Sequence, residues 1–251
     1  MKTLFLDMGN TRTKWGVRVC GEWQALGHFP AQDRHALEAL WTQHAPINAV
    51  AACHVAQPEQ AQQLVQWCAK QGVPLQWMRA VAYAAGVRNG YRSPEQLGPD
   101  RWAALIGARA LGPGPYLVVC AGTATTIDAL SQEGDFLGGI ILPGLDLMDQ
   151  ALRQGTTRLG AEQSTPHYRT FPTNTADALY SGALTATLGA IEHQRHQLTQ
   201  LQSSLPVILI LSGGNAPLLA PLLTGAVLRV GHLVLEGLAR FMEGPEEGPL
   251  A

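Results

Sequence analysis

The first strongly patterned stretch of the chain is Leu4–Lys14, where an apolar run ends at Asp7 and turns through Gly9. An apolar run of this kind, bounded by a turn signal, predicts a buried strand. Lys14–Arg18 and Trp23–Phe29 predict two further strands. The beginning of the chain therefore predicts three successive strands, with a polar turn between the first two.

Beyond this point, strand patterns alternate with helical ones. Apolar spacing predicts helices over Leu37–His44, Ala61–Cys68, Asp100–Leu111, Leu145–Leu152, Thr175–Leu201 and Leu233–Phe241. Short apolar runs predict strands over Ala49–Ala52, Leu75–Met78, Tyr116–Cys120, Ile127–Leu130, Phe136–Leu142 and Val207–Leu211. The polar stretch Gln154–Asn174 predicts a long functional loop, and Glu243–Ala251 predicts a frayed tail. The alternation predicts an α/β fold of mixed sheets covered by helices.

A repeat divides the chain at Gly112-Pro113-Gly114-Pro115, the clearest candidate for a domain boundary. On each side of it, an apolar strand runs into a small, hydroxyl-rich turn, at Asp7–Thr11 and at Gly122–Thr126. Either turn alone could be an ordinary hairpin turn. Two copies instead predict two related halves, 1–114 and 115–251, whose turns would grip a polyphosphate from both sides.

Composition narrows the class of protein. The chain has 251 residues, of which 46% are hydrophobic and 14% charged, which predicts a well-buried globular fold. A net charge of −2 argues against nucleic acid or an anionic membrane as the main partner. The four cysteines lack Cys-x-x-Cys spacing, so neither zinc nor a disulfide framework is expected. With no membrane-spanning run and no signal peptide, the sequence predicts a cytoplasmic protein with reduced thiols.

The first turn has the residue types that bind phosphate and magnesium. Gly9 leaves no Cβ between backbone and ligand, and the side chains of Asn10, Thr11 and Thr13 donate hydrogen bonds. Asp7 can hold Mg²⁺ through water, because Mg²⁺ keeps several waters and takes one or two carboxylates.

Three other features carry candidate chemistry, each with a simpler alternative. Asp100 and Arg101 could supply a base and a clamp for a carboxylate substrate, or could merely begin a helix. The glycines of Ser212–Asn215 would let backbone lie against a flat ring such as adenine, or form a plain turn. The Thr175–Leu201 helix carries small residues on one face, which suit a subunit contact or ordinary internal packing: Ala178, Gly182, Ala186 and Gly189.

Taken together, these motifs resemble those of the type III pantothenate kinases. That family belongs to the acetate kinase/sugar kinase/Hsp70/actin superfamily, in which two halves share an RNase-H-like fold. The resemblance covers nearly the whole chain and rests on Asp7-Met-Gly-Asn-Thr11, Leu97-Gly-Pro-Asp-Arg101, Gly122-Thr-Ala-Thr-Thr-Ile-Asp128, Gly138-Gly-Ile-Ile-Leu-Pro-Gly144, Asn174-Thr-Ala-Asp-Ala178 and Ser212-Gly-Gly214.

The resemblance implies ATP-dependent phosphorylation of pantothenate, the first step of coenzyme A synthesis, by a homodimer. It implies that Asp100 is the catalytic base and that Asp7 supports Mg²⁺. The ATP contacts it implies are Asp7, Gly9, Asn10, Thr11, Thr13, Lys14, Thr123, Gly213 and Gly214. The pantothenate contacts it implies are Tyr91, Gly98, Arg101 and Thr175.

One position departs from the family pattern. Cys120 stands where the family usually has Asp, which helps to bind an activating monovalent cation, potassium or ammonium. Since a thiol is a poor ligand for so hard a cation, the site is rebuilt from other oxygens, the requirement is lost, or activity is weak. The departure leaves a non-catalytic, ATP-binding regulatory relative as an alternative. A third reading is a kinase of the same superfamily with another small-molecule substrate.

Overall fold

Strands and helices alternate along the chain, as the sequence predicts. The computed structural model describes residues 1–33, 35–54, 58–155, 165–202 and 205–244. The strands are β1 (Lys2–Met8), β2 (Arg12–Val19), β3 (Glu22–Pro30), β4 (Ala49–His54), β5 (Leu75–Trp77), β6 (Tyr83–Ala84), β7 (Val87–Asn89), β8 (Tyr116–Ala121), β9 (Ala124–Leu130), β10 (Asp135–Pro143), β11 (Ile208–Ser212) and β12 (Val227–Arg229). The helices are α1 (Ala36–His44), α2 (Pro58–Gln71), α3 (Pro99–Arg109), α4 (Leu145–Gly155), α5 (Thr175–Leu201), α6 (Ala216–Leu219) and α7 (Leu233–Met242). Short 3₁₀ turns occupy Pro94–Gln96 and Ala220–Leu222.

Contacts divide the chain into two compact units. The first comprises Met1–Gly112, Gly134–Phe136 and the residues from His232 onwards, and the second comprises Pro113–Glu133 and Leu137–Gly231. The last helix groups with the first unit because α7 packs along α3. The assignment of RNase-H-like halves to 1–114 and 115–251 stays a prediction.

The first unit is built on a five-stranded mixed sheet in the order β3-β2-β1-β4-β5. The pairs β1–β2 and β2–β3 are antiparallel, whereas β1–β4 and β4–β5 are parallel. Leu4 and Leu6 face a core that includes Leu64 of α2. Since side chains alternate along a strand, Phe5 and Asp7 point to the opposite face, and α3 and α7 contact β4 and β1. The central strand is therefore buried on both faces, and Asp7 is its next-to-last residue.

The second unit contains the strand order β12-β11-β8-β9-β10. The β8–β9 pair is antiparallel, and β8–β11 and β11–β12 are parallel. Its core joins the apolar faces of β8, β9 and β11 to α5, through residues such as Val119, Ile127 and Leu184. The predicted α/β class, with mixed sheets flanked by helices, is confirmed.

The two units repeat one strand order. In each, a central strand turns back into an antiparallel neighbour and takes its parallel neighbour, reached through helices, on the other side. The turns after Asp7 and after Cys120 therefore occupy equivalent places in the two sheets. The repeat seen in the sequence is thus a repeat of topology.

The long polar segment and the chain end are described only in part. Residues 165–174 of the segment predicted as a loop lie outside helices and strands, while 156–164, and 245–251 of the predicted tail, lie outside the described residues. All four cysteines are free thiols. Among the described helices, none has both the length and the apolar character needed to cross a lipid bilayer.

Candidate active site

Asp7 lies at the carboxyl end of β1, where its side chain is 9% exposed. It pairs in register with Lys14 on β2 and with Cys53 on β4. The Lys14 Nζ lies 3.9 Å from Asp7 Oδ2, and the Cys53 Sγ lies 3.4 Å from Asp7 Oδ1. Sheet register therefore brings a carboxylate, an ammonium and a thiol together.

The turn that follows presents donors at an exposed tip. Gly9 N–H donates to the carbonyl of Arg12 at 3.2 Å, which closes the turn. Asn10 and Thr11 are exposed, whereas Thr13 is buried. Asn10 and Thr11 thus lie at the solvent-exposed tip of the turn.

Asp100 lies in the first turn of α3 and is oriented by backbone. Its Oδ1 accepts a hydrogen bond from Arg101 N–H at 2.9 Å. A Cβ at Gly98 would come within 2.8 Å of the same Oδ1, so a glycine is needed for this position of the carboxylate. The interpretation of this motif as a helix N-terminus is confirmed, and it leaves the carboxylate free for a catalytic role.

Arg101 is 6% exposed and is held by aromatic side chains. Its Nη1 donates to the Tyr91 hydroxyl at 2.9 Å, and its guanidinium lies 5.8 Å from the ring centres of both Tyr91 and Phe136. Tyr91 is fixed in turn, since its N–H donates to the side chain of Asn89. The sequence had predicted Tyr91 and Arg101 as substrate contacts, and the structure joins them directly. Phe136 was missed, because nothing in β10 marks its contact with β7.

Burial sets the electrostatics of this cluster. Removal from water raises the pKa of Asp7 above its ordinary 3.8, and the Asp100 charge adds to the rise while Lys14 opposes it. Burial likewise raises the pKa of Asp100, against the lowering effect of the Arg101 backbone N–H. Burial thus raises the pKa of both carboxylates, against the opposing charges of Lys14 on both and of Arg101 on Asp100.

In the second unit, three predicted motifs converge on the turn at Gly122-Thr123. Gly144 N–H donates to the Thr123 carbonyl at 2.9 Å, and Asn215 N–H donates to the Ala121 carbonyl at 3.0 Å. Gly213 has φ +100°, and a Cβ there would lie 2.2 Å from the Ala121 carbonyl oxygen, so only glycine allows this approach. Thr123 and Gly214 are exposed beside these contacts. The predicted phosphate turn and the predicted adenosine turn are therefore neighbours.

Cys120 is the next-to-last residue of β8, close to this turn, and is partly buried. In register it pairs with Thr126 of β9 and with Ser212 of β11. The Thr126 hydroxyl is buried, and no hydrogen-bond partner is seen for it within the described parts of the chain. The position equivalent to Asp7 in the second unit thus has no carboxylate.

Thr175 begins α5 at the rim of an open groove of about 810 Å³. The Asn174 side chain caps the helix by accepting from Asp177 N–H at 2.8 Å. Asp177 in turn accepts from His167 N–H at 2.7 Å, which ties the preceding loop to α5. The groove is lined by α4 and by Ala178, Gly182 and Ala186 of α5. It is mostly apolar, with Asn174 and Thr175 at the end where α5 begins.

The comparisons define first the class of protein. The fold matches solved structures of the actin and sugar-kinase type. One is a candidate 2-dehydro-3-deoxygalactonokinase from Sinorhizobium meliloti (TM-score 0.61, 16% identity, covering 99% of this chain and 100% of the other). Another is a conserved candidate Baf-family transcriptional activator from Campylobacter jejuni (TM-score 0.60, 21% identity, covering 96% and 97%). At these identities, the matches show the fold alone.

The sequence comparisons then give the family. The profile of the type III pantothenate kinases matches residues 3–197. A type III pantothenate kinase from Azoarcus sp. (strain BH72) is 44% identical over 244 residues, which cover 94% of this chain and 89% of the relative. The chain belongs to the type III pantothenate kinase family.

Replacing Asp7 with Asn should raise the thermal stability of the unliganded protein at pH 7. Folding raises the pKa of Asp7 above its ordinary 3.8. The free energy of unfolding therefore falls as the pH rises from 3.8 through the pKa of Asp7 in the folded state. We expect a gain on the order of a few degrees at pH 7. The gain should shrink towards pH 4, as measured by thermal unfolding without Mg²⁺ or nucleotide.

Asp33→Asn is the matched control, because Asp33 is exposed and Asn keeps an acceptor for His35 N–H. It should leave the melting temperature unchanged at both pH values. A melting temperature of Asp7→Asn below that of the wild type at pH 7 would contradict the argument from buried charge.

Proposed function

We propose that this chain transfers the γ-phosphoryl group of ATP to the primary hydroxyl of pantothenate, giving phosphopantothenate in the first step of coenzyme A synthesis. The observation that carries this proposal is the coupled cluster of Asp7, Lys14 and Asp100, in a chain of the type III pantothenate kinase family. We assign the reaction to the cytoplasm, where free thiols such as its four cysteines stay reduced.

In this proposal, Asp100 is the general base. Its Oδ1 is held by Arg101 N–H, so the carboxylate is oriented before the substrate arrives. Burial raises its pKa, which makes it a better proton acceptor than an ordinary aspartate. In phosphoryl transfer, the protein mainly positions the reactants and neutralises charge. Asp100 therefore accepts the hydroxyl proton as the oxygen attacks.

The residues present fit a magnesium ion bound with ATP. Asp7 is buried with the Lys14 ammonium 3.9 Å away, and this charge does not offset the burial that raises the pKa of Asp7, so a further cation beside Asp7 would be favourable. No group of three or more ligating side chains is found in the described ranges, which suits an ion held by one carboxylate, waters and phosphates. Asp7 would hold it through water. When bound, Mg²⁺ neutralises charge that develops on the transferring phosphate.

The ATP contacts come from both repeated turns. Around Asp7, we assign phosphate binding to Gly9, Asn10, Thr11, Thr13 and Lys14. In the other unit, we assign it to exposed Thr123, with the adenosine beside Gly213 and Gly214. The support is local: the exposed donors of the first turn, and the close packing of the Gly213 turn on Ala121.

We assign pantothenate recognition to Tyr91, Gly98, Arg101 and Thr175. A guanidinium is the natural partner for the carboxylate of pantothenate. Because Arg101 is already held by Tyr91 and lies under two rings, its charge is desolvated and its direction fixed. Such a group offers a directed and weakly screened positive charge, which favours a carboxylate over a neutral group.

The monovalent cation expected from the family does not fit the thiol of Cys120. A hard cation prefers carboxylate, carbonyl and water oxygens. We therefore assign no step to potassium or ammonium, and we propose that the requirement is weakened in this chain. The same substitution favours, as a second candidate, a regulatory relative that binds ATP without catalysis.

We propose that the enzyme is a homodimer that forms through α5. Ala178, Gly182, Ala186 and Gly189 are all exposed, and a Cβ at either glycine would meet nothing within 4 Å. The stripe is therefore not used for packing within the described part of the chain. Exposed Leu147 and Leu152 of α4 extend the apolar surface beside it. A second copy of the chain is the partner we assign to it.

Purified wild-type protein should form ADP from ATP and Mg²⁺ in a pantothenate-dependent manner. Asp100→Asn should lower turnover by about 100-fold or more, the usual contribution of a general base. The variant should melt no lower than wild type, because the amide still accepts from Arg101 N–H without a buried charge. Exposed Glu95→Gln, close to α3, is the control and should keep full turnover.

Wild-type turnover in Asp100→Asn would overturn the assignment of the base. ATP binding without any pantothenate-dependent turnover in the wild type would instead favour the regulatory candidate.

The turnover of the wild type should differ little between potassium and sodium salts. Cys120→Asp should restore a potassium response, seen as a turnover several-fold higher in potassium than in sodium, because a carboxylate returns a hard ligand. Cys68→Asp is unsuitable as a control, since Cys68 is buried in the core. Exposed Cys20→Asp is used instead and should leave the salt dependence unchanged. A wild type that is inactive in sodium and active in potassium would contradict this prediction.

Light scattering should give a mass of twice the 26.9 kDa chain. Gly182→Leu should shift the protein towards the monomer, because a large side chain then stands where a second helix would pack closely. Gln66→Leu, which adds the same side chain to an exposed position of α2, should remain dimeric. A monomeric wild type at micromolar concentration would contradict the assignment.

A further inference from the structure

Cys53 is the one neighbour of Asp7 to which neither the sequence motifs nor the proposed function gives a role. It lies on β4, directly opposite Asp7 in the parallel pair β1–β4. Its thiol donates to Asp7 Oδ1 at 3.4 Å, within the range of a sulfur hydrogen bond. The side chain is 1% exposed, so the contact is sealed from water.

The two oxygens of Asp7 therefore have different surroundings. Oδ1 accepts from the buried thiol, whereas Oδ2 faces the ammonium of Lys14 at 3.9 Å. Rotation of a carboxylate about its last side-chain bond is otherwise soft, since this torsion has no sharp staggered minima. A donor on one oxygen fixes the plane of the carboxylate and selects the oxygen that is left for other partners.

The thiol is suited to donate rather than to react. Cys53 is 1% exposed and its Sγ lies within hydrogen-bond range of Asp7 Oδ1, so the thiol is a buried donor and not an accessible nucleophile. A thiol is also a weak donor, and it leaves most of the carboxylate charge available to other partners.

We propose that Cys53 is a positioning residue that orients the Asp7 carboxylate, through the Sγ–H to Oδ1 hydrogen bond, so that Oδ2 is presented to the hydrated Mg²⁺ of the bound nucleotide. The inference rests on the role proposed above for Asp7. It adds that the residue that orients this carboxylate, Cys53, lies on the neighbouring parallel strand β4. The register of the sheet places it opposite Asp7.

The test compares pairs of variants that differ in one donor. Ser and Ala at position 53 differ by a hydroxyl, and Thr and Val differ by a hydroxyl in place of a methyl group. The second pair serves if the smaller side chains leave a cavity that prevents folding. Binding of a non-hydrolysable ATP analogue is measured by calorimetry, without pantothenate, once with Mg²⁺ and once with a chelator.

Cys53→Ala and Cys53→Val should bind the analogue about 10-fold more weakly with Mg²⁺, which is the smaller end of the loss in affinity usual when a residue hydrogen-bonded to a metal ligand is replaced. With the chelator, their affinity should equal that of the wild type. Cys53→Ser and Cys53→Thr should keep most of the gain in affinity that Mg²⁺ gives. In turnover assays, the half-saturating Mg²⁺ concentration should rise for Ala and Val, while the KM for pantothenate should not change.

Cys68 is the matched control, since it is also buried but lies in an apolar cluster. Burial alone raises the pKa of its thiol, to about 11. Cys68→Ser and Cys68→Ala should both bind the analogue as the wild type does.

Two outcomes would overturn the inference while leaving the proposed function standing. One is equal affinity of the Ala and Ser variants with Mg²⁺. The other is a loss of affinity that is the same with Mg²⁺ and with the chelator, because a purely structural role would act in this way. A wild type that binds no analogue, or gains nothing from Mg²⁺, would overturn the role of Asp7 and the inference with it.

Discussion

The candidate site depends on two carboxylates that folding removes from water. Asp7 is buried and Asp100 is partly buried, both in the same unit, and burial raises the pKa of each more than the charges of Lys14 and, for Asp100, of Arg101 lower it. Burying a charge whose partners do not fully offset its desolvation is unfavourable, so the fold carries this arrangement at a cost to its stability. A magnesium nucleotide is the kind of ligand that would interact favourably with such carboxylates. The proposed function and this cost in stability thus have the same physical origin.

The sequence predicted most of the long elements, because apolar periodicity is strong where an element packs against a core. The helix over Thr175–Leu201 and the strands beginning at Tyr116 and Trp23 were placed to within about a residue. The short elements β6, β7, β12 and α6 were missed, since elements of two to four residues carry no periodic signal. Their positions are decided by contacts with distant parts of the chain, such as the pairing of Phe136 with Asn89.

The candidate site was predictable to the extent that its residues sit in local motifs. Asp7 and Asp100 each lie two residues from a glycine, Gly9 and Gly98, and these short motifs marked them in the sequence. Cys53 and Phe136 gave no such signal, because their neighbours come from sheet register and not from adjacent sequence. The parallel pairing of β1 with β4 could have been inferred from the strand–helix–strand pattern. The register that sets Cys53 against Asp7 could not, since a shift of one residue would have turned its side chain to the other face.

The topological repeat shows what distinguishes the two halves chemically. In the first sheet, Asp7 is the next-to-last residue of the central strand and faces Cys53 across the parallel pair. In the second, Cys120 is the next-to-last residue of the central strand and faces Ser212 across the equivalent pair. A carboxylate with a neutral donor in one sheet thus corresponds to two neutral side chains in the other. Only the first pair carries a charge, so only the first pair would be stabilised by a nearby cation. A thiol at Cys120 is therefore compatible with the proposal that Asp7 and Asp100 carry the catalysis.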